Sequence, residues 1–203
     1  ESGNGAGDLR DALVTGWADN NPDAAADWAV SNGALHLMDP IFDEMSRLGG
    51  MQRLEQWMAR AGGPGAAVAG EELGRAKLRE DMTEGTAWIV QHETEPWNEG
   101  GERALTLVLE LADKSIPQAM LLAHQLKDPA PADQVMRHWA SKDVTGVSQW
   151  LRDNPDSGQY DTAAAALARA VATEDPAAAR AWAMSIRDEA RRTQALRALG
   201  EAP

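Results

Sequence analysis

Apolar residues recur three and four apart from about residue 8 to residue 200, and no stretch alternates in the manner of a strand. The periodic runs predict helices near 8–19 and 22–31, 40–48 and 51–61, 66–79 and 82–92, 100–113 and 116–126, 131–141 and 144–153, and 158–173 and 176–186. A thirteenth follows near 188–199. Between the pairs lie SNGALHLMDP, ARAGGPG, ETEPWNEGG, KDPAPAD and DNPDSG, rich in the residues that punctuate helices.

The second helix of each pair starts on one template. Asn21 suits a helix N-cap and Pro22 the first helical position, because a cap side chain accepts an orphan backbone N–H and Pro loses no hydrogen bond there. Ala25 then stands four past the cap and Trp28 seven past it, on one helix face. The pattern recurs from Gly50 (Leu54, Trp57), Asp81 (Gly85, Trp88), Ser115 (Ala119, Leu122), Asp143 (Val147, Trp150) and Asp175 (Ala179, Trp182). Gly50 is the weakest cap of the six. The cap spacings of 29, 31, 34, 28 and 32 average about 31. Five of the eight tryptophans therefore occupy one slot.

Helix pairs of this length cannot bury their apolar faces alone and do so by stacking on neighbours. The expected fold is all-α: a right-handed or otherwise curved α-solenoid of about six helix hairpins plus a final helix. A large residue beside a small one in each second helix suits ridge-into-groove packing. Trp28, Trp57, Trp88, Trp150 and Trp182 are expected to be largely buried. The domain reading is a flexible tether at 1–7, one solenoid domain over 8–200 and a tail at 201–203.

The segment DPAAARAWAMSIRDEARRTQAL at 175–196 resembles the Asp-Pro-x-x-Ala-x-x-Trp-Ala repeats of large, often secreted or membrane-anchored bacterial proteins. Degraded copies cover most of residues 8–200. Unit length and hairpin form are also distantly similar to tetratricopeptide and HEAT-like repeats, although the tetratricopeptide order of Trp, Leu-Gly and Tyr is missing. The resemblance implies an extracytoplasmic, periplasmic or similarly placed, helical scaffold; a cytoplasmic location stays open.

The net charge of −13 argues against nucleic acid and against an anionic membrane surface. The charge is uneven: residues 180–200 carry five Arg against two acids. The absence of Cys removes disulfides and thiolate metal sites. No run approaches a membrane span. The start ESGNGAGD, without Met, reads as a trimmed chain whose leader, anchor or neighbouring domain lies elsewhere.

Candidate chemistry is sparse. His36, His92, His124 and His138 form no helical zinc pair; His92 with Glu93 and Glu95 reads as an acidic helix end rather than a metal site. Gly62-Gly63-Pro64-Gly65 reads as a turn and Asp153–Gly158 as a loop lacking calcium spacing. Acid pairs such as Glu71-Glu72 and Asp188-Glu189 read as solvated faces. No catalytic residue, cofactor or metal is assigned. For partner binding the candidates are Trp97, outside the repeat slot, and Arg187, Arg191 and Arg192. The alternative for Trp97 is a hydrophobic staple, and for the arginines a carboxylate-paired last helix. The functional expectation is a non-catalytic scaffold for a protein or peptide partner, within a larger extracytoplasmic or membrane-associated complex. The alternatives are a helical-toroid enzyme using cleft carboxylates, and a passive spacer.

Overall fold

Four of the six expected caps carry out the expected chemistry. The side chains of Asn21, Asp81, Asp143 and Asp175 accept hydrogen bonds from the N–H three residues on, at 3.2, 2.8, 2.8 and 2.9 Å. Their backbones join two helices at once. Each N–H donates to the carbonyl four residues before it, and each C=O accepts from the N–H four residues after it. Ser115 makes the same two backbone bonds, from Ser115 to Leu111 and from Ala119 to Ser115, but its hydroxyl makes no capping bond. Gly50 does not cap. At φ 66° and ψ −177° it occupies backbone space open to glycine alone, and it breaks a helix in two.

The computed structural model of the protein describes residues 4–128 and 130–200. Within them the chain is all-helical and holds no strand. The helices are α1 (Asn4–Ala18), α2 (Pro22–Ser31), α3 (Met38–Ala61, broken at Gly50), α4 (Gly63–Glu80), α5 (Met82–Gln91) and α6 (Glu102–Ala112). They continue with α7 (Ile116–Gln125), α8 (Ala130–Lys142), α9 (Val144–Asp153), α10 (Tyr160–Val171), α11 (Pro176–Ser185) and α12 (Glu189–Ala198). Two linkers wind into 3-10 turns, Leu35–Leu37 and Pro96–Gly101. Of the expected tether, residues 1–3 lie outside the described residues and the backbone of 4–7 belongs to α1; the expected tail at 201–203 also lies outside. No helix among the described residues is long and apolar enough to cross a membrane.

Packing groups the chain into two compact units that divide inside α6, between Leu107 and Val108. The sequence reading had one domain over 8–200, and no Gly, Pro or shift of composition marks the division. In the first unit α2 packs on α1, α3 and α4, and α4 packs on α3, α5 and the Pro96–Gly101 turn. Its core gathers Met38, Ile41, Phe42, Met45, Leu54 and Trp57, with the Phe42 and Trp57 rings 5.5 Å apart. In the second unit α10 is central and touches α8, α9, α11 and α12. Alanines at 163, 164, 166 and 168 let these neighbours approach closely.

The tryptophan slot needs correction. Trp57 is fully buried, but Trp28, Trp88, Trp150 and Trp182 are only half-buried. The small-residue slot is the buried one: Ala25, Leu54, Gly85, Ala119, Val147 and Ala179 are all inaccessible. Ala29, Ile89, Ala123, Leu151 and Ala183, four residues further on, are buried with them. The inward ridge therefore runs through cap+4 and cap+8 in five of the six copies, flanked by the half-buried tryptophans; after Gly50 it is Trp57 that is buried and Met58, at cap+8, that is half-buried. An indole at the flank covers apolar surface with one edge and leaves the other in water.

Candidate functional site

Trp97 does not have the exposure that partner binding would require. It is 1 % exposed, its indole Nε1–H donates to the His92 carbonyl at 2.8 Å, and its ring lies 5.4 Å from that of Trp88. It seats on Gly70 of α4, where any Cβ would fall 2.3 Å from its own. Trp97 is thus a buried packing residue seated on α4 and Trp88, which differs from a staple on the first turn of α6. Beside it Asn98, which the sequence did not single out, ties the turn at both ends. Its amide donates to the Glu93 carbonyl and accepts from the Ala104 N–H, each at 2.8 Å.

The three arginines hold α12 (Glu189–Ala198) in place. Arg187 donates to the Pro155 carbonyl at 2.5 Å, lies 3.5 Å from Asp156, and sits over the Tyr160 ring at 5.1 Å. Arg191 bonds Thr162 and stands 3.6 Å from Asp133. Arg192 donates to the Ile186 carbonyl at 2.9 Å. The carboxylate-paired reading describes Arg187 and Arg191, while Arg192 satisfies carbonyls behind its own helix.

What the sequence missed is a trough in the second unit. On α10, Thr162, Ala165, Ala166 and Arg169 follow the i, i+3, i+4, i+7 spacing of one helix face and form its floor. The flanking helices supply walls, Asp133 and Arg137 from α8, and Arg191, Gln194 and Ala195 from α12. The hollow exists because the middle helix carries methyl groups where its neighbours carry long side chains. Its volume is about 170 Å³. Asp133, Thr162 and Arg191 close one end by bonding one another. Arg137 and Arg169 are both exposed, and neither has a carboxylate partner among the described residues. The visible signal was positional: both arginines stand six residues before a cap.

A second, open cleft of about 490 Å³ shares Asp133, Thr162 and Arg191 and adds His124, Asp161 and Asp188. Its acids have structural work. Asp161 accepts the N–H groups of Arg187 and Asp188, both at 2.9 Å, and Asp188 caps α12 through the Arg191 N–H at 2.7 Å. In the first unit Glu71 and Glu72 are taken by Arg75, Arg79 and Arg103 at 2.5–2.8 Å.

Two carboxyls have displaced pKa values, both downward. Burial pushes Asp23 up, but hydrogen bonds and charge from Arg60 and Arg53 outweigh it and lower it. Asp113 is lowered by hydrogen bonds from Lys142 and His138. Both effects favour the anion, the opposite of what a general acid at neutral pH requires. His92 stacks on Trp88 at 4.7 Å and bonds its carbonyl at 2.8 Å, and no group of three or more potential metal ligands occurs among the described residues.

Comparison with family models, curated proteins and solved structures finds no match.

Proposed function

We propose that the protein is a helical-repeat scaffold that holds a protein or peptide partner, built as an α-solenoid of six helix hairpins and a further helix. The observation that carries this reading is the sequence separation of its polar contacts. Asp23 meets Arg53 and Asp27 meets Trp57 across 30 residues, Glu71 meets Arg103 across 32, and Asp113 meets Lys142 across 29. Asp133 meets Thr162, and Thr162 meets Arg191, each across 29. These separations match the cap spacing, as expected if each bond joins one hairpin to the next. That is the nearest-neighbour pattern of a stacked array, which offers an extended wall to a partner.

The structural engagement of the cleft acids favours this reading over a toroid enzyme. An extracytoplasmic complex is the setting the repeat resemblance suggests. The test is affinity capture from the source organism, membranes included, after mild cross-linking, followed by reconstitution from purified components. The expected result is a stoichiometric complex that survives size-exclusion chromatography. If no captured protein reconstitutes, the scaffold reading fails and a passive spacer replaces it.

A further inference from the structure

We propose that the trough along α10 binds an acidic peptide segment, with its carboxylates held by Arg137 and Arg169; this rests on the scaffold reading and names the partner's chemistry.

Charge is the first argument. The chain carries 32 Asp and Glu against 19 Lys and Arg. With acids in such excess most arginines find one, as Arg53, Arg60, Arg79, Arg103 and Arg191 do. Arg137 and Arg169 line one trough from adjacent helices and form no ion pair among the described residues; Asp133, four residues before Arg137 on α8, lines the same trough but is engaged by Thr162 and Arg191. Two guanidinium groups facing one hollow match carboxylates in geometry and charge.

Shape is the second. The floor between the arginines is alanine, so a peptide main chain or a short aliphatic side chain can approach α10 closely. At about 170 Å³ the trough is smaller than the roughly 300–1,000 Å³ of small-molecule sites, and it suits one or two side chains of a longer segment. A nucleic acid fits poorly, because its phosphates need a continuous basic surface and the chain as a whole carries −13. Arg191 shapes the far end but is already engaged with Asp133 and Thr162.

The probe is a short fluorescein-labelled Glu/Leu peptide, followed by fluorescence polarisation with the full chain at low salt; Gln/Leu and Lys/Leu peptides serve as controls. Saturable binding of the Glu/Leu peptide alone is expected, against the overall repulsion. The Arg137→Gln/Arg169→Gln variant should bind about tenfold or more weakly, the worth of one charged hydrogen bond. Arg10→Gln/Arg152→Gln changes net charge equally at exposed sites outside the trough and should bind as the parent does. Ala165→Phe fills the trough without altering charge and should also abolish binding, with helical circular dichroism as the check on folding.

No saturable binding, equal loss in both double variants, or tighter binding of a single-stranded oligonucleotide at the same arginines overturns the proposal. A captured partner that binds Arg137→Gln/Arg169→Gln undiminished removes the trough but leaves the scaffold standing. Failure of any partner to reconstitute removes the scaffold whatever the peptide does.

Discussion

Asp27 and Trp57 show how one residue pair ties α2 to α3 within the first unit. The Trp57 indole N–H donates to the Asp27 carboxylate at 2.9 Å while its rings disappear into the first unit's core against Phe42. Trp150 stands at the same distance from its cap on α9, yet is half-buried and meets Trp139 edge-on at 6.2 Å. Replacing Trp57 by Ala removes packing on all sides and strands Asp27, and should cost about 3–5 kcal/mol. Trp150→Ala removes one packed edge and should cost about 1–2 kcal/mol. Urea unfolding followed by circular dichroism separates the two; equal costs would mean that the slot, not its burial, sets the energy. The recurrence of Trp was legible in the sequence because its spacing from the cap is fixed. Its degree of burial was not, since spacing defines a helix face and not which neighbouring helix covers it.

At the scale of elements the turns were the most legible part. The Asx caps declare themselves by residue type, so α2, α9 and the starts of α5 and α11 fall where the sequence predicts. The ends of α2, α5 and α9 carry a further signal that went unread. Asn32, His92 and Asn154, each eleven past a cap, bond the carbonyl of the slot tryptophan through both N–H and side chain. The seat of Trp97 in the Pro96–Gly101 turn was not legible because its partner, Gly70, lies on a different helix.

That contact sets up a contest of known signs. Ala is favoured over Gly inside a helix by about 1 kcal/mol. At Gly16 of α1 nothing lies within 4 Å of the new Cβ, so Gly16→Ala should stabilise by about 0.5–1 kcal/mol. At Gly70 the Cβ would fall 2.3 Å from Trp97, and overpacking costs about 1–3 kcal/mol or more. Gly70→Ala should therefore destabilise and shift tryptophan emission to the red as Trp97 is lifted from its seat. A stabilised variant with unchanged emission would show that the turn yields without strain.

For the whole molecule the sequence stated the net charge but not its pairing. The arginines of 180–200 left both a docking patch and a carboxylate-paired helix open; Arg187 and Arg191 are tied to Pro155, Asp156, Thr162 and Asp133, while Arg192 bonds backbone carbonyls. Pairing decides how stability responds to salt. The bonded pairs stand 2.5–3.6 Å apart, well inside the Debye length of about 8 Å at 0.15 M, so salt weakens them little. Repulsion among the surplus carboxylates acts over longer distances and is screened strongly as the Debye length falls from about 30 Å at 0.01 M. The second effect should win, and the melting temperature should rise between those two salt concentrations. The bridged pairs set the opposite expectation: if they dominated, melting would fall over the same range, measured in sodium chloride to avoid the stabilising action of sulfate. A fall would mean that stability rests on the polar bonds between helices more than on the apolar ridge. The Trp57 and Trp150 comparison would then have to be repeated at high salt, where only the ridge remains.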